Sequence, residues 1–197
     1  MTDQILWLVA RGAGMVSLVL FTAVVCLGVL TVVRWQSPSW PRFLSVGLHR
    51  NLALLSVVFL VLHIVTAIVD PYTSLGLVAA AIPFASSYRP LWVGLGVIAF
   101  DLLMALVVSS LLRARLGQRA WRAIHWLAYA AWPLALGHGF GSGSDGSAVW
   151  VLGIQAVCVV AVAGAVAWRV IAGRSNRGQL GDLVRGAQRV ALGRPEA

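Results

Sequence analysis

Apolar residues fall in long unbroken blocks rather than in alternation. The blocks span about 13–33, 43–69, 91–112, 121–139 and 148–171, and the polar residues collect in the gaps between them. A helix needs roughly 20 apolar residues to cross a bilayer. The pattern therefore predicts an all-α polytopic membrane helix bundle with about five transmembrane helices. The first block is preceded by a single arginine, Arg11, and is longer than the apolar stretch of a cleaved signal, so it reads as a span. The remaining chain divides into a bundle, 1–173, and a basic tail, 174–197, in which Leu180, Leu183, Val184, Ala187, Val190 and Ala191 keep helical spacing. That tail reads equally as a short amphipathic helix on the inner leaflet and as a flexible end.

The gaps carry their own signals. SPSWPR, 37–42, is a short turn, and RARLGQR, 113–119, is an arginine-rich one. The connection from Asp70 to Pro90 is longer and contains LGLVAAAIPFA, too short to span, which predicts a partial helix at the interface. Tyr72, Tyr88 and Trp92 suit an aromatic belt there. GFGSGSDGS, 139–147, resembles a dinucleotide-binding loop only in composition, because it follows a helix rather than a strand.

Composition agrees with the blocks: 60% of the 197 residues are hydrophobic and the mean hydropathy is +0.89. Cys26 and Cys158 lie inside apolar blocks and read as small buried hydrophobes. The net charge is +9 and every basic residue is an arginine. In a soluble chain that excess would suggest nucleic acid; here the arginines punctuate spans, so nucleic acid is excluded and the bilayer is the partner. With five spans, one side would hold only Arg11 and Arg89, and the other the remaining 13 arginines. Positive charge collects on the cytoplasmic side, which predicts an outside N-terminus and a cytoplasmic C-terminus in a multi-pass protein of the bacterial cytoplasmic membrane.

The candidate chemistry lies in four histidines, His49 and His63 in the second block, His125 and His138 in the fourth. Fourteen residues of helix rise about 21 Å and return within about 40° of the same face. The second and fourth blocks run in the same direction. That places His49 level with His125 near the inner surface, and His63 level with His138 near the outer one. Two imidazoles facing each other across a bundle are axial ligands for haem iron. Two such pairs make an electron path across the membrane. The interval of 13 leaves His138 rotated by about 140° on a regular helix, so a distortion near 129–137, caused by Pro133, is expected.

Arg50 and Arg122 stand at the inner ends of the histidine helices, placed either for the propionates of an inner haem or for lipid phosphate. Arg89 is placed for an outer haem. Gly47 and Gly137 leave room for a porphyrin or let helices approach. Trp121, Trp126, Tyr129 and Trp132 pack on the rings or within the bundle. Asp101, midway along the third block, is either protonated, bonded to a ligand histidine or part of a proton path.

LHRNLALLSVVFLVLH, 48–63, and WRAIHWLAYAAWPLALGHGFGSGSD, 121–145, resemble the ferric reductase-like transmembrane domain. That superfamily includes the membrane parts of NADPH oxidases, ferric reductases and the haem subunit of periplasmic methionine sulfoxide reductase. The chain looks most like its small stand-alone bacterial members. The resemblance implies two b-type haems, the inner on His49 and His125, the outer on His63 and His138. It also implies electron transfer from a cytoplasmic-side or membrane donor to an extracytoplasmic acceptor. The larger enzymes add a flavin and NADPH domain after the last helix. Here about 26 residues follow the fifth block, so the expectation is an oxidoreductase component with a separate donor protein or quinol, and a flavin or quinone supplied by that partner or bound at the inner face. The acceptor would be ferric iron, oxygen or a partner protein outside. A reductase subunit inactive without its partner, and a haem-free transport or scaffold bundle, are the competing readings. Against metal ions alone, two imidazoles make an incomplete zinc site.

Overall fold

The computed structural model describes residues 2–33, 41–71, 73 and 75–191, with side chains for 4–32, 41, 43–71, 73 and 75–173. The turn expected at 37–42, as far as residue 40, lies outside them, as do Arg34, Tyr72 and Arg194. The described chain is helical: α1 Thr2–Val33, α2 Arg42–Val69, α3 Leu77–Ala81, α4 Pro90–Leu111, α5 Arg113–His125, α6 Ala128–Gly141 and α7 Val149–Ala191. Four helices, α1, α2, α4 and α7, are individually long and apolar enough to cross a membrane. The remaining expected span, 121–139, is assembled from the end of α5 and from α6 across a break.

Local chemistry places the ends. Pro41 precedes α2 in an extended conformation, and Pro71 disfavours the helical conformation at Asp70, which is extended, so α2 stops at Val69. Pro90 opens α4, where a missing N–H costs nothing. Gly117 takes φ +74° inside α5, open to glycine and strained for other residues, and bends the arginine-rich segment. The partial helix expected in LGLVAAAIPFA is α3, only five residues long and without a buried side chain.

Helix α1 is the centre of the bundle. Ala10, Ala13, Leu18, Phe21, Val25 and Val29 are all buried along it. It packs on α2, α6 and α7, while α4 packs on α5 and α6. Phe21, Val25, Ala131, Trp132 and Cys158 form the core between α1, α6 and α7. Helix α2 is the opposite case. Its buried residues are Ser45, Ser56 and Thr66, and most of its large apolar residues face outward. Lipid is as apolar as leucine, so such a helix gains little by hiding leucine and is held by close packing and polar cross-links. The link here is reciprocal: the Ser17 hydroxyl donates to the Ser56 carbonyl at 3.1 Å and the Ser56 hydroxyl to the Ser17 carbonyl at 3.2 Å. A second cross-link joins α6 to α1, from the Trp132 indole N–H to Thr22 Oγ1 at 2.9 Å.

Candidate functional site

The α1–α2 pair sets the register of the histidines. Ala10, Ser17 and Val24 fall seven apart on α1, opposite His63, Ser56 and His49, seven apart on antiparallel α2. The serines meet in the middle. At the ends, His63 Nδ1 lies 2.7 Å from the Ala10 carbonyl and His49 Nδ1 lies 2.9 Å from the Val24 carbonyl. An imidazole bonded this way carries its proton on Nδ1 and leaves Nε2 free as a ligand. One turn further along α1 the chain is cut away for each ring. A Cβ on Gly14 would lie 2.9 Å from His63 Nδ1, and one on Gly28 3.4 Å from His49 Cε1.

Helix α4 repeats the device for His138. Its Nδ1 lies 2.9 Å from the Trp92 carbonyl, and a Cβ on Gly96, four residues on, would lie 2.4 Å from it. The α1 and α4 contributions were missed in the sequence because they are carbonyls and absences. The readable signal was the spacing of Gly14 and Gly28, which equals that of His63 and His49. Of the glycines singled out there, Gly47 has open space around it and Gly137 only an ordinary contact with Leu95.

The histidines meet in two pairs. His49 and His125 have ring centroids 6.1 Å apart, and His63 and His138 have theirs 5.9 Å apart. The chain winds more tightly across the α5–α6 junction, which turns His138 inward; the tightening starts ahead of the 129–137 stretch where the sequence predicts a distortion and runs into its first residues. Trp126, Leu127, Tyr129 and Ala130 donate to carbonyls three residues back. Such winding adds about 20° per residue over the α-helix, so four residues of it close about half of the angular gap. Pro133 sits inside α6 and withholds a donor from the Tyr129 carbonyl, directly after the tightened turn.

Two imidazoles sharing one metal from opposite sides, with metal–nitrogen bonds of about 2 Å, hold their centroids roughly 6 Å apart. Both pairs stand at that separation. Among the described residues no three His, Cys, Asp or Glu side chains converge on one point. The pairs therefore suit a metal that arrives with its remaining ligands, as haem iron does with four porphyrin nitrogens. His125 Nδ1 is buried without a hydrogen-bond partner.

The surroundings of the two pairs differ. Around His63 and His138 lies a cavity of about 210 Å³, bordered by Arg11, Gly14, Phe21, Gly96 and Ser142. Arg11, which the sequence marks only for topology, is 12% exposed, and its Nε lies 2.9 Å from Asp145 Oδ1. It also donates to the Gly139 carbonyl at 3.2 Å. Arg89 donates to the carbonyls of Gly141 and Gly143, and the Tyr88 hydroxyl to that of Ser142. The two arginines expected on this side thus hold the Gly/Ser loop that follows α6, and Arg89 is engaged with backbone. Around His49 and His125 the neighbours are aromatic: Trp121 stacks on His125, and Arg169 lies over the Trp126 ring and donates to the Tyr129 hydroxyl at 2.7 Å. Arg50 and Arg122 are exposed near this end, and Asp101 is exposed on the flank of α4.

Four helices long and apolar enough to cross a membrane, with one histidine pair toward each end of α2, define a multi-pass membrane protein with two paired-imidazole sites at different depths. A family model described as ferric reductase like transmembrane component matches residues 13–136, well over half of the chain, and the chain belongs to that family. The match takes in His49, His63 and His125 and ends two residues before His138. No curated protein and no solved structure matches the chain.

Proposed function

We propose that the protein carries electrons across a membrane through two b-type haems, each held between two histidines. The observation that carries this reading is the pair of imidazole separations, 6.1 and 5.9 Å, at two depths of one bundle. His49 and His63, fourteen residues apart on α2, lie about 21 Å apart along the axis, most of the thickness of the hydrocarbon layer. Iron held on both sides by imidazole supplies one-electron reduction and oxidation without a change of ligands.

The chain supplies position and insulation. Backbone carbonyls of Ala10, Val24 and Trp92 fix three rings in tautomer and direction. Apolar helices keep water from the space between the pairs. The arginine asymmetry puts the His49 and His125 end at the cytoplasmic face and the His63 and His138 end outside, in a multi-pass protein of the bacterial cytoplasmic membrane. Electrons come from a separate flavoprotein or a quinol at the inner face and leave to ferric iron, oxygen or a partner protein outside. Arg50 and Arg122, exposed at the inner end, are placed to meet the propionates of an inner haem.

Proteoliposomes loaded with ferricyanide test this when a membrane-impermeant reductant is added outside. Lumenal ferricyanide is expected to bleach faster than in protein-free vesicles, and His49→Ala or His138→Ala should return the rate to that baseline. A wild-type rate no higher than that of empty vesicles contradicts the proposal.

A further inference from the structure

Three of the four histidines are held alike, by a carbonyl at Nδ1 and a glycine one turn along the facing helix. His125 has neither. Fourteen residues beyond Trp92 on α4, where the second copy of the device would stand, the Leu106 carbonyl accepts the Ser109 hydroxyl instead. Fourteen beyond Gly96 stands Ser110, with a side chain where the first copy has none.

That side chain has a partner. The Trp121 indole N–H donates to Ser110 Oγ at 3.3 Å. The Trp121 ring lies on the His125 ring with centroids 4.8 Å apart and planes 29° apart. The Arg113 guanidinium lies 4.3 Å over the same indole, close enough for cation–π attraction. Four residues separate Trp121 from His125, so the two rings stack along one face of α5.

We infer that Trp121 is the positioning residue of His125. It holds the imidazole by its face, with Ser110 and Arg113 fixing the indole, where the other three rings are held by an edge. This rests on the proposed haem-binding function and assigns a role in one of its two sites. An aromatic face restrains tilt but leaves the ring free to rotate in its own plane, whereas a carbonyl bond fixes that rotation and makes the ligand more basic. The His49–His125 site is therefore the one whose ligand-plane angle and occupancy answer to a side chain, and the other site is an internal control.

Low-temperature electron paramagnetic resonance of the oxidised, purified full-length protein separates the outcomes, with His63→Ala used to assign the two low-spin signals. Trp121→Leu is expected to shift the low-field feature of the His49–His125 signal and weaken haem retention there by about tenfold or more, the usual size of an outer-sphere ligand effect. The His63–His138 signal should stay in place. Trp121→Phe, which keeps an aromatic face but loses the bond to Ser110, should recover most of the shift, and Ser110→Ala should move the signal in the same direction as Trp121→Leu by a similarly small remainder. The inference fails if Trp121→Leu leaves both signals unmoved, or disturbs both equally. Should Trp121→Leu yield no folded protein, an unmoved signal in Ser110→Ala overturns it. A wild-type protein with no haem signal defeats the proposed function itself, and this assignment with it.

Discussion

The two histidine pairs have nearly the same separation and are held by different means. At the His63–His138 end, both rings are bonded at Nδ1 to carbonyls of helices that have lost their side chains just there, and a loop tied by Arg11 and Arg89 lies close by. At the His49–His125 end, only His49 has a carbonyl and a glycine, and the glycine contact is looser. The first end is built from backbone, which substitution can spoil only by adding atoms. The second depends on a stack of side chains, which substitution can remove. In the second, geometry is open to adjustment by residues outside the histidine pair itself.

Crowding the backbone-built pair sharpens the contrast most. Gly96→Ala would place a methyl carbon 2.4 Å from His138 Nδ1, with no room for the ring where it stands. It is expected to empty the His63–His138 site, halving haem per chain in a pyridine haemochrome assay. Gly14→Ala, at 2.9 Å from His63, should weaken the same site without emptying it, and Gly28→Ala, at 3.4 Å from His49, should be tolerated. A reversed order would break the comparison at its root.

The next effect is electrostatic. Arg11 and Asp145 are 12% and 18% exposed, and removing one partner from a buried pair costs about 3–5 kcal/mol because the other is left uncompensated. Arg11→Met is expected to fall near the lower end, read as lost thermal stability in detergent. Arg11→Met with Asp145→Leu should recover much of it. If the double variant is no better than the single, the pair is not what holds the loop.

The smallest effect lies between the two pairs. Interhelical hydrogen bonds in membrane proteins average about 0.6 kcal/mol. Ser17→Ala with Ser56→Ala should therefore lower the unfolding free energy by roughly 1 kcal/mol, from two such bonds, and leave both haem signals in place. A large loss of either haem would mean that the α1–α2 register depends on the serines more than on the histidine–carbonyl contacts.

The all-helical fold was legible because a span announces itself by length, and the four histidines because their spacing is a property of side chains. What escaped was whatever acts through backbone. Helix α1 looked like an ordinary apolar block, yet its carbonyls at Ala10 and Val24 orient both rings of α2. Only the interval between Gly14 and Gly28 hinted at it. The distortion expected at 129–137 overlaps the tightened turn at Tyr129 and Ala130, but the tightening begins earlier, at Trp126. Pro133 keeps its place in α6, and the turn before it tightens. Arg89 was placed at the right end, but its guanidinium is engaged with loop carbonyls. Arg11 passed as a topology marker because its partner, Asp145, lies 134 residues away in sequence.

The central claim is that each pair holds one haem, and a pyridine haemochrome count on the purified protein, with its reduced-minus-oxidised spectrum, tests it most directly. Two b-type haems per chain are expected, falling to one in His63→Ala and to one in His49→Ala. A folded protein that carries no haem after expression with ample haem supply would contradict the account and leave the paired imidazoles without the ligand their spacing fits.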